Sequence, residues 1–329
     1  MKIKLVLGLI FSGICIAFVL YRINFEQLVA ALRGANGLYI FFAVIFLLLT
    51  QVIRSLRWQV LLVSLKMTRF SNLLSATFIG AMADMILPAR IGDIIRAGVI
   101  GNRENLSKMS SLATIVTERI FDVLTILFIF LYIAIYYQLP DNANQTMNIV
   151  RTTGGIAAAL CSFAVLILLA IRNKTDKIAA FIDKSLRFIP ERLRQKIAGS
   201  IISFAAGLQS LKANWHLGVI LVYSLLLWSA FAASNMLIMQ ALDFPFHVLA
   251  GFYILLFQVL GVTLPSSPGA IGVYHGAVVA GLTAYNISFE QALSAAILMH
   301  AAFFFPFISF GLGFLWRENL SFSEIRSLR

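Results

Sequence analysis

Two apolar runs of the sequence are broken by turn-forming residues, the first by Leu87-Pro88-Ala89-Arg90-Ile91-Gly92-Asp93 and the second by Leu264-Pro265-Ser266-Ser267-Pro268-Gly269-Ala270-Ile271-Gly272. Proline and glycine clusters of this kind end helices. The apolar segments beside each break are shorter than the ~20 residues that a membrane-spanning helix needs. Each run therefore predicts a broken helix.

The rest of the chain is typical of an integral membrane protein. Of 329 residues, 60% are hydrophobic and only 12% are charged, and the mean hydropathy is +0.90; soluble domains are far more polar. Six further apolar segments are long enough to span a bilayer: 1–21 (an uncleaved span), 38–62, 111–137, 153–171, 217–241 and 291–315. They leave no substantial aqueous part, so residues 1–329 are predicted to form a single membrane domain.

The distribution of charge predicts the orientation. Lys and Arg number 26 against 14 Asp and Glu, a net charge of +12, and basic loops stay in the cytoplasm. The most basic segment, residues 172–199, has apolar residues at helical spacing, so we expect a cytoplasmic amphipathic loop on the anionic membrane surface. Lysines and arginines near both ends place both termini in the cytoplasm. The excess of positive charge is thus explained by the membrane topology, so no nucleic-acid partner is predicted.

With this orientation, each broken run begins and ends on one side of the membrane. Residues 66–110 start and finish inside, and residues 248–287 start and finish outside. Non-helical backbone at membrane depth is tolerated only where protein or a polar cavity covers it. We therefore predict an all-α polytopic membrane protein with six full transmembrane helices and two re-entrant hairpins arranged as an inverted repeat. The alternative, with residues 248–263 and 271–285 as two complete spans, gives the same orientation.

The helices that restart after the breaks, at about Ile91 and Ile271, are candidate anion sites. A helix N-terminus carries unpaired N–H groups and a partial positive charge, and glycines allow a ligand to approach the backbone closely. The simpler alternative is that proline and glycine only end the helices. The candidate residues for substrate binding at these tips are Gly92 in the first run and Pro265, Ser266, Ser267, Pro268, Gly269, Gly272 and His275 in the second.

Charged residues strengthen the case for the first tip. Arg90, Asp93 and Arg96 follow one another at i, i+3 and i+6, so they share a helix face. In the next span, Glu118, Arg119 and Asp122 again combine acids with a base, and Arg119 can reach Asp122 one turn away. Charge at membrane depth indicates a functional site, and a free guanidinium can bind a phosphate with two hydrogen bonds. The alternative is that these groups pair structurally or reach the cytoplasmic interface.

Other polar residues are weaker candidates. Arg54 and Arg57 precede Trp58 near a cytoplasmic helix end, where interface anchoring is the simplest explanation; binding is the alternative. Asp84 lies among apolar neighbours and is harder to explain structurally. Asn235, Gln240 and Gln258 are expected to join helices by hydrogen bonds. The chain's two cysteines and four histidines lack the spacing of a disulfide framework or a metal site, so neither cofactor nor metal is predicted.

The motifs together resemble a known family. In order, they are Arg54-x-x-Arg57-Trp58, Leu87-Pro88-x-Arg90-x-Gly92-Asp93-x-x-Arg96, Glu118-Arg119-x-x-Asp122 and Leu264-Pro265-x-x-Pro268-Gly269-x-x-Gly272-Val273. They resemble the lysylphosphatidylglycerol synthase transmembrane family, also described as the flippase-like domain, across essentially the whole chain. Asp93 stands where that family usually has Glu, and His275 stands where an acid is common. The first difference keeps the charge and the second removes it.

The resemblance implies a lipid translocator of the bacterial or archaeal cytoplasmic membrane, here as a stand-alone member without the aminoacyl-transferase domain. The expected substrate is an anionic phospholipid, a polyprenyl-phosphate or a hopanoid-type lipid. Two alternatives stay open: a lipid-linked glycosyl or phosphoryl transferase, and a non-transporting partner of a biosynthetic complex. The sequence does not identify the lipid, the direction of transport or the energy source. It leaves both a monomer and a homo-oligomer open.

Overall fold

The computed structural model describes residues 25–87, 91–136, 214–244, 249–264 and 266–319, and the single helical positions 155, 159, 191 and 199. The predicted span 1–21, nearly all of the span 153–171 and of the basic loop 172–199, and the outer loop 138–150 lie outside the described residues. So do three residues of the first break, Pro88, Ala89 and Arg90, and Pro265 of the second.

The described part of the chain is all-helical, as the sequence predicts. The helices are α1 Phe25–Gly34, α2 Gly37–Leu62, α3 Phe70–Ile86, α4 Gly92–Glu104, α5 Lys108–Tyr136, α6 Asn214–Ala241, α7 Leu249–Thr263, α8 Val273–Thr283 and α9 Phe289–Arg317. A 3-10 turn, Pro268–Ala270, lies between α7 and α8. Helix α1 has no counterpart among the predicted segments. The protein is thus an all-α polytopic membrane protein.

Three described helices are long and apolar enough to cross a membrane. They are α2, with 26 residues, α9, with 29, and the 27 residues Trp215–Ala241 of α6. They correspond to the predicted spans 38–62, 291–315 and 217–241. Helix α5 is also 29 residues long, corresponds to the predicted span 111–137, and carries the acidic and basic side chains of the site described below.

Both broken runs are interrupted where the sequence predicts. The first consists of α3, with 17 residues, and α4, with 13; the second consists of α7, with 15, and α8, with 11. None of the four reaches the ~20 residues of a typical full span. In the second break the backbone enters the positive-φ region at Gly269 (72°) and Gly272 (89°), a conformation that glycine adopts without steric cost.

Small residues bring several helices into close contact. Gly92 at the start of α4 lies against Gly80 of α3, and a Cβ atom at position 92 would be 2.2 Å from the Gly80 carbonyl oxygen. Helix α9 packs along α3 through Gly311, where a Cβ atom would be 2.4 Å from the Met82 Cβ. Glycines at such contacts allow the close backbone approach that stabilises membrane helices.

We expect Gly311→Ala to destabilise the protein by about 1–3 kcal/mol, since the added methyl group overlaps Met82 and the Phe78 carbonyl oxygen. Gly313→Ala is the matched control, because no atom lies within 4 Å of a Cβ at that position and alanine favours the helix. Unfolding in mild detergent with increasing SDS measures both. Equal stability of the two variants would show that α9 and α3 can separate at no cost.

Candidate functional site

Arg57 lies at the centre of a buried ion-pair network. Its side chain is fully buried, and its Nη1 lies 2.7 Å from the Asp122 Oδ1 while its Nη2 lies 3.2 Å from the Glu118 Oε1. The same Nη1 donates a hydrogen bond of 2.8 Å to the Ser224 hydroxyl on α6. Arg57 thus joins α2, α5 and α6 inside the protein. The expectation that it anchors the helix at the membrane surface is wrong.

Arg96 of α4 joins the same network from another side. Its Nη1 forms an ion pair of 2.7 Å with the Glu118 Oε2, and its guanidinium carbon lies 3.8 Å from the centre of the Trp58 ring. Trp58 is fully buried, and its indole N–H donates to the Thr114 hydroxyl at 2.9 Å. A cation over a tryptophan ring is stabilising when desolvated. Trp58 therefore supports a buried arginine, and the interface-anchor interpretation is wrong for it too.

Arg119 connects the network to α4. Its Nε and Nη2 donate to the two carboxylate oxygens of Asp93 at 2.8 and 2.7 Å, a bidentate geometry. Its Nη1 donates to the Asp122 Oδ2 at 3.2 Å, which confirms the predicted pairing across one helical turn. The Asp93 and Arg119 side chains are 31% and 40% exposed, so this pair faces open space whereas the Arg57 network is closed.

Asp84 holds the start of α4. Its Oδ1 accepts a hydrogen bond of 2.7 Å from the Gly92 N–H. A carboxylate at this place neutralises the partial positive charge of the helix end. The expectation of an unpaired N–H group at this end is therefore wrong for Gly92, whose N–H contacts the protein's own acid.

The second break contacts both α9 and the first run. The His300 Nε2 lies 2.8 Å from the Gly269 carbonyl oxygen, and a Cβ atom at Gly269 would lie 3.5 Å from the Met85 carbonyl oxygen at the end of α3. The rings of His275 and His300 are 4.9 Å apart. The two breaks therefore lie next to each other, although they are about 180 residues apart in the sequence.

A cavity of about 430 Å³ opens beside the ion-pair network. Its charged lining comes from Arg54, Asp84, Asp93 and Arg119, and its neutral polar lining from Gln51, Ser234, Asn235, Gln258 and Tyr274. The remaining wall is apolar and includes Leu47, Trp228, Phe303 and Phe307. Ligand cavities typically combine such an apolar wall with a few polar groups.

Arg54 differs from the other three arginines of this region. Arg57, Arg96 and Arg119 each pair with a carboxylate, whereas Arg54 makes no ion pair with any described residue. It is half-buried, it lines the cavity, and its buried Nε has no hydrogen-bond partner in the described part of the chain. Spacing in the sequence could have indicated this, because Leu47, Gln51 and Arg54 follow at i, i+4 and i+7 and share one helix face.

Two amide side chains from later helices, Asn235 of α6 and Gln258 of α7, form another polar part of the cavity wall. Asn235 and Gln258 exchange hydrogen bonds of 2.9 and 2.8 Å, and the Gln258 Nε2 also donates to the Tyr274 hydroxyl at 2.8 Å. The predicted role of these two amides in joining helices is confirmed. Gln240, in contrast, is exposed and does not line this cavity.

The structure thus divides the predicted site residues into groups. Asp84, Asp93 and Arg119 line the cavity together with Arg54. Arg57, Arg96, Glu118 and Asp122 form the buried network behind it. The described tip residues of the second break, Ser266, Ser267, Pro268, Gly269, Gly272 and His275, do not line it. Arg90 and Pro265 lie outside the described residues.

Comparison with known proteins identifies relatives along nearly the whole chain. A family model described as "Lysylphosphatidylglycerol synthase TM region" matches residues 5–311. A protein of Haloferax volcanii named Glycosyltransferase AglD is 26% identical over an alignment that covers 97% of this chain and 55% of that protein. This chain therefore spans about half the length of that relative.

Two further relatives are similar in length to this chain. Proteins named UPF0104 membrane protein, from Methanocaldococcus jannaschii and Methanothermobacter thermautotrophicus, are 24% and 21% identical. The alignments cover 91% and 98% of this chain, and the same shares of the relatives.

Proposed function

Because the chain belongs to the lysylphosphatidylglycerol synthase transmembrane family, we propose that it moves a lipid between the leaflets by binding the polar headgroup in the cavity beside Arg54. The observation that carries this proposal is the free guanidinium of Arg54, which lines a cavity of about 430 Å³ and has no carboxylate partner among the described residues. A half-buried cation of this kind is suited to a phosphate group, which accepts two of its hydrogen bonds.

The surroundings of Arg54 support an anion more than a metal or a neutral ligand. The neighbouring acids Asp93 and Asp122 are engaged by Arg119 and Arg57, so their negative charges are largely neutralised. The network keeps these acids from pairing with Arg54. The headgroup would then supply the negative charge that Arg54 lacks.

The apolar wall of the cavity supports a lipid as the bearer of that anion. Phe303, Phe307 and Leu255 line the same cavity as Arg54, so a ligand with a polar head and an apolar body can satisfy both sides. The short helices of the broken runs support the predicted re-entrant hairpins, which would bring this site toward the middle of the bilayer.

The proposal places the protein in the cytoplasmic membrane with both termini inside. The basic loop 172–199 would then lie against anionic lipids of the inner leaflet.

A reconstituted transport assay tests the proposal. Proteoliposomes containing a phosphatidylglycerol with a fluorophore on one acyl chain are treated with a membrane-impermeant quencher, and the rate at which the label becomes accessible is measured. We expect Arg54→Gln to slow this rate about tenfold or more, since a hydrogen bond to a charged group contributes about 1.5–3 kcal/mol.

Arg33→Gln is the matched control for this assay, because Arg33 is an exposed arginine at the end of α1 and the two variants lose the same charge. It should transport at the rate of the unsubstituted protein. Equal rates for Arg54→Gln and the unsubstituted protein would contradict the role of Arg54, and a rate for the unsubstituted protein no higher than that of protein-free liposomes would favour a non-transporting partner.

The similarity to the protein named Glycosyltransferase AglD supports a second candidate function, group transfer to a lipid-linked acceptor. Mass spectrometry of the same vesicles distinguishes the two candidates. Transport leaves the lipid mass unchanged, whereas transfer, tested with sugar donors supplied, changes the mass of the lipid headgroup.

A further inference from the structure

Gln51 presents an unused hydrogen-bond acceptor beside Arg54. It is only 1% exposed and it lines the cavity, yet its Oε1 has no hydrogen-bond partner in the described part of the chain. Buried polar atoms are nearly always paired, and an unpaired one in a native structure indicates a missing partner. Because the Gln51 side chain lines the cavity, a ligand bound there is the candidate donor for this oxygen.

The neighbouring residue fixes which end of the amide is free. The Thr50 hydroxyl donates its proton to the Leu47 carbonyl oxygen at 2.5 Å, so toward Gln51 it can only accept. The Gln51 Nε2 donates to it at 3.3 Å. The amide nitrogen is therefore used within α2, and the group left without a partner is the oxygen, which only accepts.

Gln51 and Arg54 lie at i and i+3 on α2 and both line the cavity, so their side chains are neighbours about 5–6 Å apart at the Cβ atoms. One is a cationic donor and the other a neutral acceptor. A ligand that binds to both side chains carries an anionic group and a hydrogen-bond donor that lie a few bonds apart. Ser234, which is buried on α6 and lines the same cavity, adds a hydroxyl that can accept a second such bond.

We propose that Gln51 selects headgroups that carry an O–H or N–H donor next to their phosphate, and that the cavity discriminates against phosphate headgroups without one. This inference rests on the proposed function, because it assigns the chemistry of the same site. It makes Gln51 a specificity-determining residue and Arg54 the anion-binding residue.

Two lipids of equal charge test the selection. Phosphatidylglycerol and phosphatidylmethanol both carry one negative charge at the phosphate, but only the first has headgroup hydroxyls. Binding is measured by competition against a labelled phosphatidylglycerol on the full-length protein in mild detergent. We expect the unsubstituted protein to prefer phosphatidylglycerol about tenfold, as one hydrogen bond allows. Equal affinity for the two lipids would overturn the inference without any variant.

Variants separate this inference from the proposed function. Gln51→Met keeps the length of the side chain and removes the acceptor, so we expect it to lose most of the preference for phosphatidylglycerol. Arg54→Gln should weaken both lipids equally. Retained preference in Gln51→Met would overturn the role of Gln51 alone, whereas binding that is unaffected by Arg54→Gln would overturn the proposed function as well. The melting temperature of each variant confirms that it is folded.

Discussion

Replacing Arg57 with methionine is expected to lower the free energy of unfolding by about 3 kcal/mol, the lower end of the loss for a broken buried ion pair, because two buried carboxylates lose the cation between them and keep only Arg96 and Arg119 as ion-pair partners among the described residues. Asp122 loses an ion pair of 2.7 Å and Glu118 one of 3.2 Å. The volume of methionine is similar enough that a cavity contributes little. Unfolding by SDS in mild detergent measures the loss.

Arg54→Met is the matched control for this prediction. Arg54 is on the same helix, one turn away, but it has no carboxylate partner among the described residues. Its replacement should leave stability nearly unchanged while it removes headgroup binding. Arg57 would thus stabilise the fold, and Arg54 would bind the headgroup. Equal losses of stability in both variants would contradict this division.

A double variant examines the cause of the Arg57 effect. If the loss comes from unpaired charge, then Arg57→Met with Asp122→Asn should be less destabilised than the sum of the single variants. The double variant should not regain full stability, since Asp122→Asn also removes the ion pair of 3.2 Å with Arg119 and Glu118 still lacks Arg57. Additive effects would show instead that Arg57 stabilises the protein by packing alone.

Gly92→Ala is expected to reduce stability toward the upper end of about 1–3 kcal/mol and to reduce transport as well. The added Cβ would lie 2.2 Å from the Gly80 carbonyl oxygen and 2.5 Å from the Asp84 Cγ, so α3 and α4 must move apart. That movement lengthens the 2.7 Å hydrogen bond between Asp84 and the Gly92 N–H. It also displaces Asp93, which pairs with Arg119 in the cavity wall.

Gly276→Ala is the control for Gly92, since it lies in the first turns of α8, after the other break, and no atom lies within 4 Å of its Cβ position. Thermal unfolding and the labelled-lipid assay are measured on both variants. Loss of transport in Gly276→Ala as large as in Gly92→Ala would show that the assay responds to any added methyl group near a break.

The helices and breaks were accessible to sequence reasoning because they depend on local properties. Apolar length predicts α2, α6 and α9, and proline with glycine predicts both interruptions. The contact of Arg119 with Asp122 is also local, since one helical turn separates them. The assignment of Arg119 and Asp122 to substrate binding stays a prediction.

The role of Arg57 could not be predicted in the same way. Its position near a cytoplasmic helix end is typical of an anchor, and its acids are on another helix more than 60 residues away. The cavity is equally non-local, because its wall combines α2, α3, α4, α5 and four later helices. Asp84 shows a related difficulty, since its partner is a backbone N–H that exists only once α4 has formed.

The contact between the two breaks has a consequence for permeability. Gly269 lies close to Met85 of the first broken run and to His300 of α9, so a displacement of the second broken run would push on the first or break the contact with His300. The residue next to Met85 is Asp84, which lines the cavity. Under the proposed function, opening of the cavity by one broken run would therefore change the position of the other, so that the two sides of the membrane would reach the cavity in turn. Such a protein would pass a lipid without leaving a continuous water path for ions.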